Sequence, residues 1–269
     1  MDSYMVIDNH TFVICAYKES MHLRACVESL KKQSVLGKII CTTSTPNSHV
    51  ESICQEYNVP LYVNSESRGI AADWNFAYSK TETEYVTIAH QDDIYDPLFL
   101  KETLDCIKKS SNPLIAFTDY YEIRGEEKVV SNRILQIKRI MTSPWRIRML
   151  WSSEFVARRI FSFGCPVCCP SVTFVRSGLP NTPLFDESFK VNCDWMAWVN
   201  IRKIAGDFIY CKKILMGHRI HEESETTNKI HDNTRSKEDM IILEMLVPKS
   251  LAKIIHYFYV KGQKSNELK

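Results

Sequence analysis

Two adjacent carboxylates, Asp92 and Asp93, have the residue types and spacing needed to hold a metal ion. They follow Gln91, which stands just after a short apolar run at residues 85–89 that is typical of a buried strand. Hard cations such as Mg²⁺ or Mn²⁺ are usually held by one or two carboxylates together with substrate phosphates. An Asp-rich turn is the alternative interpretation, and for these two residues taken alone it is favoured.

Asp194 is a second candidate, as a general base that would remove a proton from an acceptor hydroxyl. The apolar pattern around it predicts a helix over residues 194–204. At the start of that helix Asp194 could equally serve as an N-cap, which only satisfies backbone N–H groups. Taken alone, the structural role is favoured.

Residues 218–221 (His-Arg-Ile-His) form a third polar group, after a predicted strand at residues 208–215. Alternation along an extended chain points Arg219 and His221 to the same side. The guanidinium fork of Arg219 matches the paired oxygens of a diphosphate, and His221 would be a metal ligand or a phosphate donor. A solvated surface loop is an equally weighted alternative.

Arg68 belongs to a fourth polar group, residues 64–69, ahead of a predicted helix. Backbone amides at the helix start, with Arg68 beside them, would accept an anion. A turn with a helix cap explains the same residues equally well.

Three cysteines, Cys165, Cys168 and Cys169, resemble half of a zinc site. Structural zinc needs four ligands, and no second pair of Cys or His stands nearby at metal spacing. Pro166 and Pro170 flank the last two cysteines. The segment is therefore predicted to be a rigid wall that lines a pocket.

A regular alternation of strands and helices must position these groups. Predicted strands cover residues 11–16, 38–42, 60–63, 85–89 and 114–118, and predicted helices cover 20–30, 46–57, 69–79 and a segment that starts at Pro97. Short connections between alternating elements predict a mostly parallel sheet with helices on both faces. Because ligands bind at the carboxyl ends of such strands, the polar groups that follow them should converge on one crevice.

The second half of the chain is less regular and mixes basic with apolar residues. Residues 133–159 hold seven Lys or Arg against one acid, Glu154, with large apolar side chains interleaved. A strand is predicted at 171–175, and an amphipathic helical segment, interrupted by Pro248, ends the chain.

Length and composition describe an ordinary globular protein. The 269 residues are 45% hydrophobic and 25% charged and contain no internal repeat, which favours one globular unit. We expect a domain over residues 1–225, with a nucleotide half at 1–118 and an acceptor half at 119–225, and an amphipathic helical extension over 226–269 packed on the same domain.

Charge and cysteine content narrow the cellular setting. A formal net charge of only +2 argues against a nucleic-acid partner. Ten cysteines in a long, apolar-rich chain whose first ten residues are polar are expected to be reduced and mostly buried, in a cytoplasmic protein. No stretch reaches the roughly 18 uninterrupted apolar residues of a membrane span.

The order of these motifs resembles family 2 glycosyltransferases, over about residues 11–222. Four segments carry the resemblance: FVICAYKE at 12–19, GIAADWN at 69–75, IAHQDDIYDP at 88–97 and CDW at 193–195. Each is a weak signal alone, but four in the correct order at suitable spacing form a strong one. The resemblance implies an α/β fold of the GT-A (Rossmann-like) type, with a mostly parallel sheet, helices on both faces and a helical C-terminal extension.

The resemblance also implies roles for individual residues. By position, Asp93 would bind the metal, Asp194 would be the catalytic base, and His221 would contact the diphosphate or the metal. The remaining predicted contacts with the nucleotide-sugar come from Ala16, Tyr17, Glu19, Thr42, Arg68, Asn75, Gln91, Asp92 and Arg219.

The implied activity is an inverting transfer of a sugar from a nucleotide-diphosphate sugar, with a UDP-sugar favoured. The acceptor would be a hydroxyl of a glycan or a lipid-linked molecule in cell-surface polysaccharide synthesis. Mn²⁺ or Mg²⁺ would neutralise the leaving diphosphate, and Asp194 would activate the acceptor in one displacement without a covalent intermediate.

Three positions depart from the family's usual pattern. His90 stands where an Asp is common, Thr42 where an Asp often reads uracil, and Cys193 where a Glu commonly precedes the catalytic Asp. The second departure leaves the identity of the base open. None of them removes Asp93 or Asp194, so activity is still expected.

The location follows from the same reasoning. Basic and large apolar residues mix in 133–159 and again at the end of the chain, as in elements that lie on a membrane surface. We therefore expect a cytoplasmic protein with a peripheral contact at the inner face of the cell membrane. Core-packing helices with a solvated basic face are the slightly favoured alternative.

Three other functions were weighed. A nucleotidyltransferase usually needs a glycine-rich loop after the first strand, and residues 17–20 contain no glycine. A non-catalytic nucleotide-sugar-binding module is disfavoured by the retained carboxylates. A zinc-dependent binding protein would be built on Cys165, Cys168, Cys169 and Cys193.

Overall fold

A computed structural model describes residues 5–66, 69–181, 183–220 and 234–264. Its strands are β1 (Met5–Ala16), β2 (Val35–Thr43), β3 (Leu61–Val63), β4 (Tyr85–His90), β5 (Ile94–Tyr95), β6 (Pro113–Arg124), β7 (Glu127–Val129), β8 (Val172–Val175) and β9 (Asp207–Ile220). Its helices are α1 (Leu23–Lys31), α2 (Ser48–Glu56), α3 (Ile70–Ser79), α4 (Phe99–Ile107), α5 (Arg133–Thr142), α6 (Glu154–Phe161), α7 (Cys193–Ile201), α8 (Thr234–Leu246) and α9 (Lys249–Lys264).

The strands of the described residues form one sheet in the order β3-β2-β1-β4-β8-β6-β9-β5, with β7 paired to β6. The pairs β3–β2, β2–β1, β1–β4 and β6–β9 are parallel. Strand β8 is antiparallel to both β4 and β6, so β6 and β9 run in the same direction as β1. The predicted mostly parallel sheet is therefore confirmed, with β5, β7 and β8 as its reversed strands.

Helices cover both faces of this sheet, as predicted. The ring of Phe12 in β1 packs against Phe99 of α4 on one face. On the other face, the ring of Phe174 in β8 packs against Tyr78 of α3. Because both faces are covered, consecutive residues of β1 can be apolar, and residues 12–14 are fully buried.

Strands β6 and β9 are longer than the sequence indicates. Their pairing continues to Arg124 and Ile220, well beyond the predicted ends at residues 118 and 215. Polar residues in the added part are paired: Asp119 accepts a hydrogen bond from Arg139 at 2.6 Å, and Glu122 accepts one from Arg124 at 2.9 Å. These partners allow a strand to continue through residues that, by type, are typical of a loop.

The helices α8 and α9 join the same hydrophobic core as the sheet. Ile242, Leu243 and Leu246 of α8 and Ala252 of α9 are all buried within it. The turn between the two helices contains Pro248, as expected. The predicted domain boundary at residue 225 lies outside the described residues.

Candidate active site

The loop after β1 is held to the end of β4 by one side chain. The amide of Gln91 accepts a hydrogen bond from the Tyr17 backbone N–H at 3.1 Å and donates one to the Tyr17 carbonyl at 2.8 Å. Ala16 is buried where β1 ends, whereas the side chains of Tyr17 and Glu19 are exposed. Gln91 thus orients the loop that carries the predicted nucleotide contacts.

Asp92 lies at the same edge of the sheet. Its Oδ1 accepts a hydrogen bond from the Ser20 hydroxyl at 2.5 Å, and its side chain is half-buried. Asp92 therefore links the turn after β4 to the segment ahead of α1, and both predicted nucleotide loops are joined at this point.

Asp93 is buried, with 1% of its surface exposed, and strand β9 supplies its partners. Its Oδ1 accepts the backbone N–H of Arg219 at 2.9 Å and lies 3.1 Å from Nδ1 of His218. Burial alone would raise the pKa of Asp93, but His218, His90 and the Arg219 amide together hold that pKa below its usual range. Asp93 is thus an ionised carboxylate in a buried position.

The side chain of Arg219 supports the same turn. Its Nε donates to the carbonyl of Asp92 at 3.0 Å, and an Nη donates to the carbonyl of Gly125 at 3.4 Å. Arg219 is half-buried, so the guanidinium stays beside the carboxylate pair. A fixed cation at this edge suits the diphosphate contact predicted for it.

His90 stacks on Trp74 beside this turn. The ring centroids are 5.0 Å apart with an interplanar angle of 23°. Burial lowers the pKa of His90, and its Nδ1 lies 4.0 Å from Oδ2 of Asp93. The residue that stands where an Asp was expected is thus an imidazole with a lowered pKa, packed on α3.

Asp194 lies in the first turn of α7. Its Oδ1 accepts the backbone N–H of Trp195 at 2.7 Å, and its Oδ2 lies 3.9 Å from the Cys165 thiol. Burial raises the pKa of Asp194, although Arg235 and Lys138 partly offset the shift. A carboxylate with raised proton affinity is suited to accept a proton from a hydroxyl.

Asp93 and Asp194 both lie near the Cys168 thiol. The Cys168 thiol lies close enough to both carboxylates for each to add to the increase of its pKa that burial causes. Cys165 lies against Asp194 on the same wall. The cysteine segment therefore lies near both candidate carboxylates, and its role as a pocket wall stays a prediction.

Lys138 of α5 is a site residue that sequence reasoning missed. Its Nζ donates to the Tyr120 hydroxyl at 2.8 Å, and its charge acts on both His218 and Asp194. The sequence analysis counted it only as part of a basic stretch. Its sequence position could have indicated that it faces inward. Lys138 is three residues after the buried Leu135 and four before the buried Thr142, and residues three and four apart share a helix face.

Asp73 of α3 is a second residue that was missed. Its carboxylate accepts hydrogen bonds from Ser44 at 2.9 Å and from Asn64 at 3.0 Å. These two partners follow β2 and β3, so Asp73 lies at the carboxyl edge of the sheet. An acid in the first turn of a helix also suits the helix dipole, which made it unremarkable in the sequence.

Four other predicted residues are placed less directly. Thr42 is buried, and its hydroxyl lies 3.4 Å from the Ile14 carbonyl. The side-chain amide of Asn75 donates a hydrogen bond to the Phe185 carbonyl at 2.8 Å and accepts one from the Phe185 N–H at 3.0 Å. Both side chains therefore hold the protein's own backbone in this structure, and their nucleotide contacts stay predictions. Arg68 and His221 lie outside the described residues.

The donor set around Asp93 limits the kind of metal site that would fit. Its Oδ2 is the less committed oxygen, with His218 Nδ1 at 3.4 Å. In 5–66, 69–181, 183–220 and 234–264, no three His, Cys, Asp or Glu side chains converge to hold a metal ion, the four cysteines of the zinc alternative included. Among the described residues, Asp93 Oδ2 is the atom that fits a cation, and diphosphate oxygens and water would complete the coordination.

Comparison with known proteins decides the family. The sequence profile of Glycosyl transferase family 2 matches residues 11–176. The chain belongs to this family. It is a glycosyltransferase, and the resemblance found in its sequence is confirmed.

Curated relatives of this glycosyltransferase are distant in sequence. An uncharacterized glycosyltransferase of Rickettsia typhi is 20% identical over 266 residues, which cover 94% of this chain and 80% of the relative. Another, from Rickettsia prowazekii, is 22% identical over 232 residues, covering 86% of this chain and 69% of the relative.

Solved structures share the fold. TarS 1-349 of S. aureus in complex with UDP-GlcNAc has a TM-score of 0.64 at 14% identity, and the match covers 94% of this chain and 71% of that one. Mannosyltransferase PcManGT from Pyrobaculum calidifontis, in complex with GDP-Man and Mn²⁺, has a TM-score of 0.63 at 12% identity, covering 94% and 69%. The chain spans 42% of a longer TarS structure. These likenesses confirm the predicted GT-A fold.

The helices of this glycosyltransferase were also compared with the dimensions of a bilayer. Across the described residues, none is both long enough and apolar enough to cross a membrane.

Proposed function

We propose that this glycosyltransferase moves a sugar from a nucleotide-diphosphate sugar to an acceptor hydroxyl in one inverting displacement. The proposal rests on the contrasting surroundings of two buried carboxylates near Cys168: Asp93 contacts His218 and the Arg219 amide, whereas Asp194 lies against Cys165, and their pKa values shift in opposite directions. Environments that separate the pKa values of two acids assign them different tasks. Asp93 stays charged on the diphosphate side, and Asp194 takes up a proton on the acceptor side.

The donor site lies at the carboxyl ends of β1, β2 and β4. Ala16, Tyr17 and Glu19 would contact the base and ribose, and Asp92 the ribose. Arg219 and His218 place positive charge beside the position of the diphosphate. A UDP-sugar is the proposed donor, and the solved neighbours bind UDP-GlcNAc in one case and GDP-Man in another.

A divalent cation, Mn²⁺ or Mg²⁺, would be held by Asp93, and when bound it would neutralise charge on the leaving nucleotide diphosphate. The Mn²⁺ in the PcManGT complex supports this for a protein of the same fold. The chain's own cations, Arg219 and Lys138, add to the same stabilisation.

Asp194 acts on the acceptor. Its Oδ2 would accept the proton of the acceptor hydroxyl as the new glycosidic bond forms and the bond to the diphosphate breaks. Attack from the side opposite the leaving group inverts the anomeric centre. Burial of Asp194 raises its basicity, and the hydrogen bond from the Trp195 N–H offsets only part of this effect.

The acceptor we propose is a glycan or a lipid-linked molecule in cell-surface polysaccharide synthesis. The reaction would take place in the cytoplasm, at the inner face of the cell membrane. The support is the mixture of basic and exposed apolar residues near the acceptor side of the site.

A thermal-shift screen tests the donor site without knowledge of the acceptor. UDP, GDP and TDP are each added with and without Mn²⁺ to wild-type protein and to Asp93→Asn. A ligand at about 100 times its Kd stabilises the native state by about 2.7 kcal/mol, so a clear rise in Tm is expected for the correct nucleotide with Mn²⁺.

The variant supplies the control. Asp93→Asn should lose the Mn²⁺-dependent part of the rise. A nucleotide that stabilises wild type and Asp93→Asn equally, with or without Mn²⁺, would contradict the metal assignment. Binding with no sugar release from any donor would favour a non-catalytic nucleotide-sugar-binding module.

A further inference from the structure

The outward face of α9 is apolar. Leu251, Ile254 and Phe258 are exposed and recur at intervals of three and four residues, so they line one side of the helix. Ile254 is 56% exposed and Phe258 is 65% exposed. The opposite side is already packed on the core through Ala252. The helix therefore has a second apolar face that the core does not explain.

A second exposed apolar group lies in the segment from residue 146 to 163. Met149 is 87% exposed, Phe155 is 73% exposed, and Ile147 is also exposed. Trp145, which directly precedes this segment, and Trp151 within it are buried. The two tryptophans therefore belong to the core, whereas Ile147, Met149 and Phe155 are exposed to solvent.

The elements that carry these two groups, the segment around α6 and the pair α8–α9, contact each other. Gly164 has φ +136°, and a Cβ there would lie 2.6 Å from the ring of Tyr259 in α9. Arg158 of α6 donates two hydrogen bonds to the carbonyl of Leu246, the last residue of α8, at 2.8 and 3.1 Å. The segment around α6 and the pair α8–α9 are therefore in direct contact.

Positive charge surrounds the exposed apolar residues. Arg146, Arg148 and Arg159 are exposed in the α6 segment, whose acid Glu154 is paired with Arg202 at 2.6 Å. Helix α9 adds Lys253 and Lys261, and also Lys249, which lies 3.8 Å from Glu244 of α8. Exposed apolar side chains can insert at the acyl boundary of a bilayer, and neighbouring cations can bind its anionic headgroups.

The core-facing side of α9 contacts the helix that carries the candidate base. The ring of Tyr259 packs against Trp195, with centroids 5.7 Å apart, and Trp195 directly follows Asp194. Helix α9 is thus one residue removed from the candidate base.

We propose that Ile147, Met149, Phe155, Ile254 and Phe258, with the arginines and lysines around them, form a docking surface for an anionic lipid bilayer. This docking surface brings the Asp194 side of the site to the membrane plane, where a lipid-linked acceptor is held. The acceptor rests on the proposed function, but bilayer binding by itself does not.

Co-sedimentation with vesicles tests the docking surface. Vesicles of phosphatidylcholine alone are compared with vesicles that also contain phosphatidylglycerol, without donor or acceptor. Wild type should bind the anionic vesicles at low salt and progressively less as salt is added. The double variants Met149→Gln/Phe155→Gln and Ile254→Gln/Phe258→Gln should each lower the partition coefficient by about tenfold or more.

Leu98→Gln is the matched control, because Leu98 is an exposed apolar residue ahead of α4 and outside the docking surface. It should bind like wild type. All variants change exposed side chains and should keep the wild-type Tm and its rise with nucleotide, which separates this result from failure of the donor site.

Three outcomes would overturn the proposal. Wild type could fail to bind anionic vesicles at low salt, or both double variants could bind as wild type does. Light scattering could instead show a wild-type dimer that the double variants dissociate, which would assign the surface to a second copy of the chain.

Discussion

Asp93 and Asp194 are the same residue type, yet their surroundings act on them in opposite ways. Asp93 is buried beside His218 and the Arg219 amide, and these keep it ionised. Asp194 is packed against Cys165 and Trp195 with weaker compensation, so burial dominates and its pKa rises. The difference comes from contacts across more than a hundred residues of sequence in the first case, which no local motif encodes.

Lys138 provides a residue-scale prediction. The charge of Lys138 lowers the pKa of Asp194. The substitution Lys138→Met removes this charge and should raise that pKa further. If Asp194 must be ionised to act, the acid limb of the kcat–pH profile for nucleotide release will move to higher pH. Activity should be recovered, at least in part, well above that limb.

Lys128→Met is the control for this profile. Lys128 lies on β7, over the ring of Tyr121 in β6, and it is not among the cations that shift the pKa of Asp194. Its acid limb should match that of wild type. An unmoved limb in Lys138→Met would separate Lys138 from the protonation of Asp194.

Prediction from sequence worked best for residues whose role is set by their own segment. Asp92, Asp93, Gln91 and Arg219 were singled out by type and by position after a strand, and they do lie together. His218 was passed over in favour of His221, because the predicted strand ended at residue 215. Since β9 continues to Ile220, His218 lies within the strand and meets Asp93.

At the scale of elements, α8 holds the segment that precedes α7. The Glu238 carboxylate accepts the backbone N–H groups of Lys190, Val191 and Asn192 at 2.6, 3.0 and 2.8 Å. The next residue, Asp239, accepts a hydrogen bond from the Asn192 side chain at 2.8 Å. Asn192 is the N-cap of α7, so α8 fixes the start of the helix that carries Asp194.

Removal of this carboxylate should loosen the site as well as the fold. Glu238→Ala leaves three backbone N–H groups without their acceptor and should lower the free energy of unfolding by about 2–3 kcal/mol. Glu238→Gln keeps one acceptor oxygen and should have an intermediate effect. Urea unfolding measures both, with Glu244→Ala, an exposed acid on the same helix, expected within about 0.5 kcal/mol of wild type.

Kinetics separate positioning from simple destabilisation. At a temperature where each variant is folded, Glu238→Ala should lower kcat for nucleotide release while the nucleotide-induced rise in Tm is kept. Equal kcat in Glu238→Ala and wild type would show that α8 stabilises the fold without positioning Asp194.

The strands and helices that were predicted well are those with continuous or periodic apolar residues. β1, β2 and β4 and the helices α2 and α3 match their predicted segments closely, except that β1 and β2 begin earlier. The extensions of β6 and β9 depend on ion pairs such as Asp119–Arg139, which join residues from different elements. Such pairing depends on the tertiary fold and has no local signal.

At the scale of the whole molecule, one core unites the sheet, α7 and the C-terminal helices. This continuity links the helix that carries part of the docking surface to the candidate base: Tyr259 of α9 packs against Trp195 of α7, which directly follows Asp194. The net charge of +2 does not reveal this arrangement, because cations outnumber acids locally in residues 146–163 and in α9. Orientation at a membrane would therefore follow from charge placement, whatever the total charge.

The central claim is that Asp194 is the base of a sugar transfer whose donor is bound on the Asp93 side. The most direct test measures nucleotide release from the donor that the thermal-shift screen identifies, in wild type and in Asp194→Asn, at equal donor saturation. Asp194→Asn should retain the nucleotide-induced rise in Tm and lose at least about a thousandfold in kcat, the upper part of the range for general-base removal.

Stability provides the check that the variant is folded. Because the folded-state pKa of Asp194 is raised, its ionised form costs stability above that pKa, and the cost disappears below the unfolded value. Asp194→Asn should therefore melt at or above the wild-type temperature at pH 8, with any advantage lost under acid conditions. Release of nucleotide by a folded Asp194→Asn at the wild-type rate would contradict the account.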